Sequence, residues 1–150
     1  MKKLLTALLF VLVISNDSFS QIEEFSFKIT NYEIDEINYD EIALNGDLAL
    51  SFYKCENGTF CMSNFFRKNN TQSYGGIYGI KQTHYDETSK SYAHDEYRFT
   101  WKFFNTYDSN RGEAAVTLNY IYIGNTVKMT AEIVDLSTNE VLLFKGYLEK

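Results

Sequence analysis

Residues 115–123 constrain this chain most. Val116, Leu118, Tyr120 and Tyr122 fall on one face of an extended segment, and Thr117, Asn119, Ile121 and Ile123 on the other. A period of two built from β-branched and aromatic residues marks a half-buried strand, because successive side chains leave opposite faces of a pleated backbone. Gly124-Asn125 follows, and a leading glycine suits a two-residue type II′ turn. Such a turn places Ile123 opposite Thr126, then pairs Tyr122 with Val127, Tyr120 with Met129, Leu118 with Ala131 and Val116 with Ile133. Those last four pairs are all apolar, so turn chemistry and hydrophobic pattern agree. The next turn is Leu136-Ser137-Thr138-Asn139. An even-length connection brings Leu142 opposite Ile133, Phe144 opposite Ala131 and Leu148 opposite Val127. A three-residue loop would bring Leu143, Lys145 and Tyr147 there instead. The first register keeps the buried face apolar and is the one expected. The product is an antiparallel meander with one apolar face that other strands must cover.

Upstream, Lys2 and Lys3 precede an apolar run from Leu4 to Ile14, and Ser18-Phe19-Ser20 offers small residues at the positions a signal peptidase reads. Met1–Ser20 is therefore read as a signal peptide cleaved after Ser20, with 21–150 as a single all-β domain in a secreted or periplasmic protein. The run is short for a membrane span, so no stable membrane insertion is expected after cleavage. Acidic residues crowd the start of the domain: Glu23, Glu24, Glu33, Asp35, Glu36, Asp40, Glu41 and Asp47 stand against Lys28 alone. The whole chain carries a net charge of −6. An acidic chain lacks the basic footprint that nucleic acid requires. The acids also lack the spacing of a calcium loop and read as a solvated face.

Phe25, Phe27 and Ile29 alternate into a first strand. Between Tyr32 and Leu44 two readings compete. One is a helix that Asn31 begins and Asn45-Gly46 ends. The other is a strand near Ile42 running into a turn at Asn45-Gly46-Asp47, and it is favoured because Ile42, Leu44, Leu48 and Leu50 alternate. Leu48 to Phe66 is a hairpin around Asn57-Gly58. An odd-length loop with Gly58 left-handed gathers Leu48, Leu50, Phe52, Met62 and Phe66 on one face. It leaves Cys55 and Cys61 together on the other, where an oxidising compartment would join them in a disulfide.

Tyr74 to Phe104 is a long hairpin. A turn centred on Thr88-Ser89 pairs Ile80 with Tyr97, Tyr78 with Phe99, Gly76 with Trp101, Tyr74 with Phe103 and Lys81 with Glu96. In that register Trp101 lies in the core above a glycine. Asn105 to Gly112 reads as a polar loop.

The motifs of hydrolytic and metal chemistry are missing. The only histidines, His84 and His94, fall on opposite faces of the hairpin, and no Gly-x-Ser-x-Gly or His-Glu-x-x-His occurs. The neighbouring carboxylates Asp95-Glu96 would diverge on a strand, and so would Asp35-Glu36. No catalytic residue, metal ligand or cofactor is assigned.

Eight or nine strands with short connections imply an antiparallel meander closing into a small up-and-down β-barrel, with a two-layer β-sandwich as the alternative. The aromatic content of 17% motivates the functional expectation. That expectation is a non-catalytic binding module for a small, largely apolar ligand, held in the barrel or at its mouth. Tyr78, Tyr97, Trp101, Tyr120 and Tyr122 are the candidate contacts. The alternative is a surface domain that recognises protein or glycan through exposed tyrosines.

Overall fold

The computed structural model describes residues 25–149; the expected signal peptide and its cleavage point lie outside them. Nine strands and one short helix follow in order. They are β1 (Phe25–Ile34), β2 (Ile37–Asn38), α1 (Asp40–Gly46), β3 (Leu48–Lys54), β4 (Phe60–Phe66), β5 (Thr71–Tyr85), β6 (His94–Asn105), β7 (Arg111–Ile123), β8 (Thr126–Asp135) and β9 (Val141–Leu148). From β3 to β9 each strand pairs antiparallel with the next. β1 pairs with β3 on one edge and with β9 on the other, so eight strands close into an antiparallel barrel. The two-residue β2 is an extra strand beside the end of β1. Closure removes the free edges that an open sheet or sandwich would present.

The barrel interior is filled by alternate residues of every strand. Phe27, Leu50, Met62, Phe99, Trp101, Leu118, Met129 and Phe144 are among the buried side chains. Phe27 stacks on Tyr120 at 5.2 Å between ring centres, and Tyr97 meets Tyr120 edge to face at 5.4 Å. An eight-stranded barrel is just wide enough for such side chains to occupy its middle. The β7–β8 register is the expected one throughout, from Ile123 opposite Thr126 to Val116 opposite Ile133. Gly124 takes the positive φ of 59° that the turn needs. The β8–β9 register also matches, with Ile133 opposite Leu142 and Ala131 opposite Phe144. Asp135 accepts the Ser137 and Thr138 amides to shape that turn. In the β3–β4 hairpin Phe52 faces Met62, Gly58 has φ 81°, and Cys55 and Cys61 form a disulfide.

Two expectations are corrected. The first is the strand near Ile42, which is the helix α1. β1 runs on to Ile34 and reverses at Asp35-Glu36, where both residues have positive φ. Those two acids therefore occupy a turn and not a strand. Asp40 then accepts the Tyr32 amide at 2.7 Å and the Asn31 side-chain amide at 3.1 Å, which turns the chain. Ala43 and Gly46, three apart, face the barrel, while Ile42 and Leu44 are exposed. Gly46 admits the ring of Phe66, since a Cβ there would lie 2.6 Å from Phe66 Cδ1.

The second correction is the β5–β6 register. Tyr74 faces Phe104, Ile77 faces Trp101 and Tyr78 faces Thr100, one residue away from the expected pairing. Gly79, with φ 65°, then forms a bulge that shifts the register again. Beyond it Lys81 faces Arg98 rather than Glu96, and Gln82 faces Tyr97. The slip puts Tyr78 outside and Ile77 inside. Trp101 is still buried, at 2% exposure, and its indole N–H donates to the Met62 carbonyl at 3.2 Å.

Candidate functional site

Polar side chains enter the barrel interior at both ends, and the two ends differ. At the end reached by the last residues of β4 and β6 and the first of β5 and β7, three of them form a row. Asn64 on β4 lies opposite Ser73 on β5, which lies opposite Asn105 on β6. All three share the inward phase, because Asn64 sits between Met62 and Phe66 and also faces Leu50. The Ser73 hydroxyl donates to Asn105 Oδ1, and Asn105 Nδ2 donates to the Tyr107 hydroxyl at 3.3 Å. The Oδ1 of Asn64 is buried and has no hydrogen-bond partner. An unpaired buried acceptor costs about 1–3 kcal/mol.

This row floors a recess of about 650 Å3. Tyr32, Ile34, Phe66, Phe103 and Leu142 give it apolar walls, and the loops carrying Tyr107, Ser137 and Glu140 rise around it. Burial, followed by the nearby charge of Glu140, pushes the Tyr32 hydroxyl up to about 12, so it stays protonated and able to donate. Arg111 is the one basic residue lining the recess, against Asp135 and Glu140.

At the opposite end the polar group is Asp95. It follows the inward phase of Tyr97, Phe99 and Trp101 and is 0% exposed. Tyr122 donates its hydroxyl to Oδ2 at 2.5 Å, and His84 Nδ1 donates to Oδ1 at 2.6 Å. A buried carboxylate is tolerable only with such partners. The hydrogen bond to Asp95 raises the His84 pKa above its ordinary 6.5. The neighbouring Tyr97 hydroxyl is buried without a partner, and burial followed by the Asp95 charge pushes it well up. Tyr120, fully buried beside it, is raised in the same direction by burial. The side chains here are in contact with one another and serve to close the interior.

The five candidate contacts therefore scatter. Tyr97, Trp101, Tyr120 and Tyr122 are inside the packed barrel, and Tyr78 is outside beneath the Lys102 ammonium, 5.1 Å from its ring centre. None of the five lines the recess. The residues that do were overlooked, although a polar residue in the apolar phase of a strand was a readable signal for Asn64. His84 and His94 do lie on different faces, with His84 turned in to Asp95 and His94 stacked on Tyr85 at 4.4 Å. Among the described residues no group of three or more His, Cys, Asp or Glu is placed to hold a metal ion. No helix among them is long and apolar enough to cross a membrane. No protein-family model matches the chain, and no curated protein or solved structure is significantly similar to it.

Proposed function

We propose that this barrel is a non-catalytic binding module that holds one small molecule in the recess at its mouth. The observation that carries this reading is the Asn64–Ser73–Asn105 row, a polar floor set in the inward phase of three strands at the base of the recess. A fold that only needed stability would place an apolar side chain between Met62 and Phe66. The recess volume, about 650 Å3, falls in the range of small-molecule sites, roughly 300–1,000 Å3. Its walls are apolar and its floor is amide and hydroxyl, so the ligand has both an apolar face and hydrogen-bond donors. Of the two expected positions, in the barrel or at its mouth, packed side chains filling the middle favour the mouth, and the polar floor there favours a ligand less wholly apolar than expected. A disulfide is compatible with an oxidising compartment, which supports reading the protein as secreted or periplasmic.

Surface recognition through exposed tyrosines is the weaker reading. Tyr74 and Tyr107 are at the recess end, Tyr78 lies in the middle of β5, Tyr85 and Tyr92 sit near the tip of the β5–β6 hairpin and Tyr147 is on β9, so the exposed tyrosines are spread over the surface.

Asn64→Leu separates function from stability. The variant should be as stable as the parent or more so, since it removes an unsatisfied polar atom. It should also lose the backbone amide shifts that a small-molecule fragment library induces at Asn64, Ser73 and Asn105 in NMR spectra. Fragment binding that persists in Asn64→Leu, or that maps away from these residues, would count against the reading.

A further inference from the structure

The recess does not end at the mouth. A groove of about 770 Å3 runs over the outer surface of β5, β6 and β7, and Phe103 and Arg111 line both the groove and the recess. Two glycines line it, each packed against a close neighbour. A Cβ on Gly112 would lie 2.5 Å from Phe103 Cζ, and one on Gly75 would lie 1.8 Å from the Lys102 carbonyl oxygen. Tyr74, 38% exposed, forms one side of the groove and meets Phe104 edge to face at 5.9 Å. The Arg111 guanidinium sits 5.1 Å from the centre of the Phe104 ring. Lys102 is engaged by Glu113 at 3.5 Å, whereas Arg111 makes no ion pair among the described residues and keeps its N–H donors for a ligand.

Building on the mouth as the binding site, we infer that its ligand is a short saccharide chain, with one ring on the Asn64–Ser73–Asn105 floor and the next rings passing Phe103 and Arg111 into the outer groove. The chemistry of the two parts selects this class. Amide and hydroxyl groups match sugar hydroxyls, which both donate and accept. Aromatic rings match the apolar C–H faces of pyranose rings. An acyl chain is disfavoured, because it would cover the polar floor without satisfying it, and below the floor buried side chains occupy the barrel. A nucleotide is disfavoured because in the recess its phosphates would meet Asp135 and Glu140 with Arg111 as the single lining cation, and in the groove Lys102 is paired with Glu113. An extended peptide added as a strand needs a free edge, and β5 is paired on both sides where it borders this groove.

The test is NMR on the intact domain, with ligand titrations followed through the protein's amide signals, using a defined panel. It holds mono- to hexasaccharides of β-1,4-linked glucose, N-acetylglucosamine and xylose and of α-1,4-linked glucose, together with decanoate and adenosine. At least one saccharide series should bind, with affinity rising tenfold or more from one ring to four. Tyr74→Ala and Arg111→Ala should each bring the tetrasaccharide down to the affinity of the monosaccharide. Binding of decanoate or adenosine at the mouth, with no saccharide bound, would overturn the ligand class and leave the mouth as the site. Affinity independent of chain length, or indifferent to Tyr74→Ala, would overturn the continuous track. If no compound shifts the Asn64, Ser73 and Asn105 signals, the binding site itself is wrong.

Discussion

Gly75 and Gly76 are neighbours in one strand, yet their surroundings differ sharply. A Cβ on Gly75 would collide with the backbone oxygen of Lys102 at 1.8 Å, and a backbone oxygen in a paired strand cannot step aside. A Cβ on Gly76 would meet the Tyr78 hydroxyl at 2.8 Å, the far end of a side chain that is largely outside the barrel and free to move. Gly75→Ala is therefore expected to destabilise the protein by about 1–3 kcal/mol through overpacking, and Gly76→Ala by well under 1 kcal/mol. Urea denaturation of the two variants decides it, and equal losses would contradict the observed register. The sequence alone points to the wrong glycine, because a symmetrical Thr88-Ser89 turn sets Gly76 opposite Trp101. Single polar residues were more legible than this. Asn64 interrupts the phase of Met62 and Phe66, and Asp95 continues the phase of Tyr97, Phe99 and Trp101, so each announces a polar atom in the interior. What each would touch there was not legible, since its partners come from other strands.

The β5–β6 hairpin carries its own test. β4 pairs with β5 only as far as Gly76, so among the described residues β6 is the sole strand neighbour of β5 from Ile77 to Tyr85. The hydrogen bond from His84 to Asp95 fastens this arm to the closed end of the barrel. Asp86 lies 3.4 Å from the other ring nitrogen of His84, and the Tyr122 and Tyr97 hydroxyls border Asp95. The folded-state pKa of His84 is raised above 6.5, so its contribution is fully present below that value and is lost as pH rises through the raised pKa. Amide exchange, corrected for its intrinsic pH dependence, should show protection of residues 81–85 falling as pH rises above the ordinary histidine value of 6.5. The His84→Asn variant should show no such step, and a step of equal size in it would assign the effect elsewhere. Two other elements show why local patterns mislead. Ile42 and Leu44 alternate like a strand, but both are exposed, and the contacts that decide the segment are Ala43 and Gly46 against the barrel and the Asp40 carboxylate on the Tyr32 amide. The bulge at Gly79 sits inside an otherwise regular strand, and only its pairing partners reveal it.

For the whole molecule, closure of β1 on β9 supplies the long-range order, and the Cys55–Cys61 bridge adds a local clip. The bridge spans six positions in sequence, so the chain-entropy argument gives it only about 2 kcal/mol. The double variant Cys55→Ser/Cys61→Ser should fold to the same barrel and lose about that much stability in urea. A variant that fails to fold would show that the hairpin depends on the bridge far more than loop closure implies.

Local chemistry was enough for the β7–β8–β9 meander, the odd-length loop at Gly58 and the cysteine pair, because each rests on turn residues and side-chain phase within a few positions of one another. From these came the all-β class and the preference for a barrel. Closure, the β5–β6 slip, the helix α1 and the recess were decided only in three dimensions. A one-residue change of register leaves a strand's own pattern intact and reverses which face is buried. The floor of the recess draws one residue from each of three strands, Asn64, Ser73 and Asn105, and their separations of nine and thirty-two positions follow from loop lengths and a bulge that no local pattern encodes.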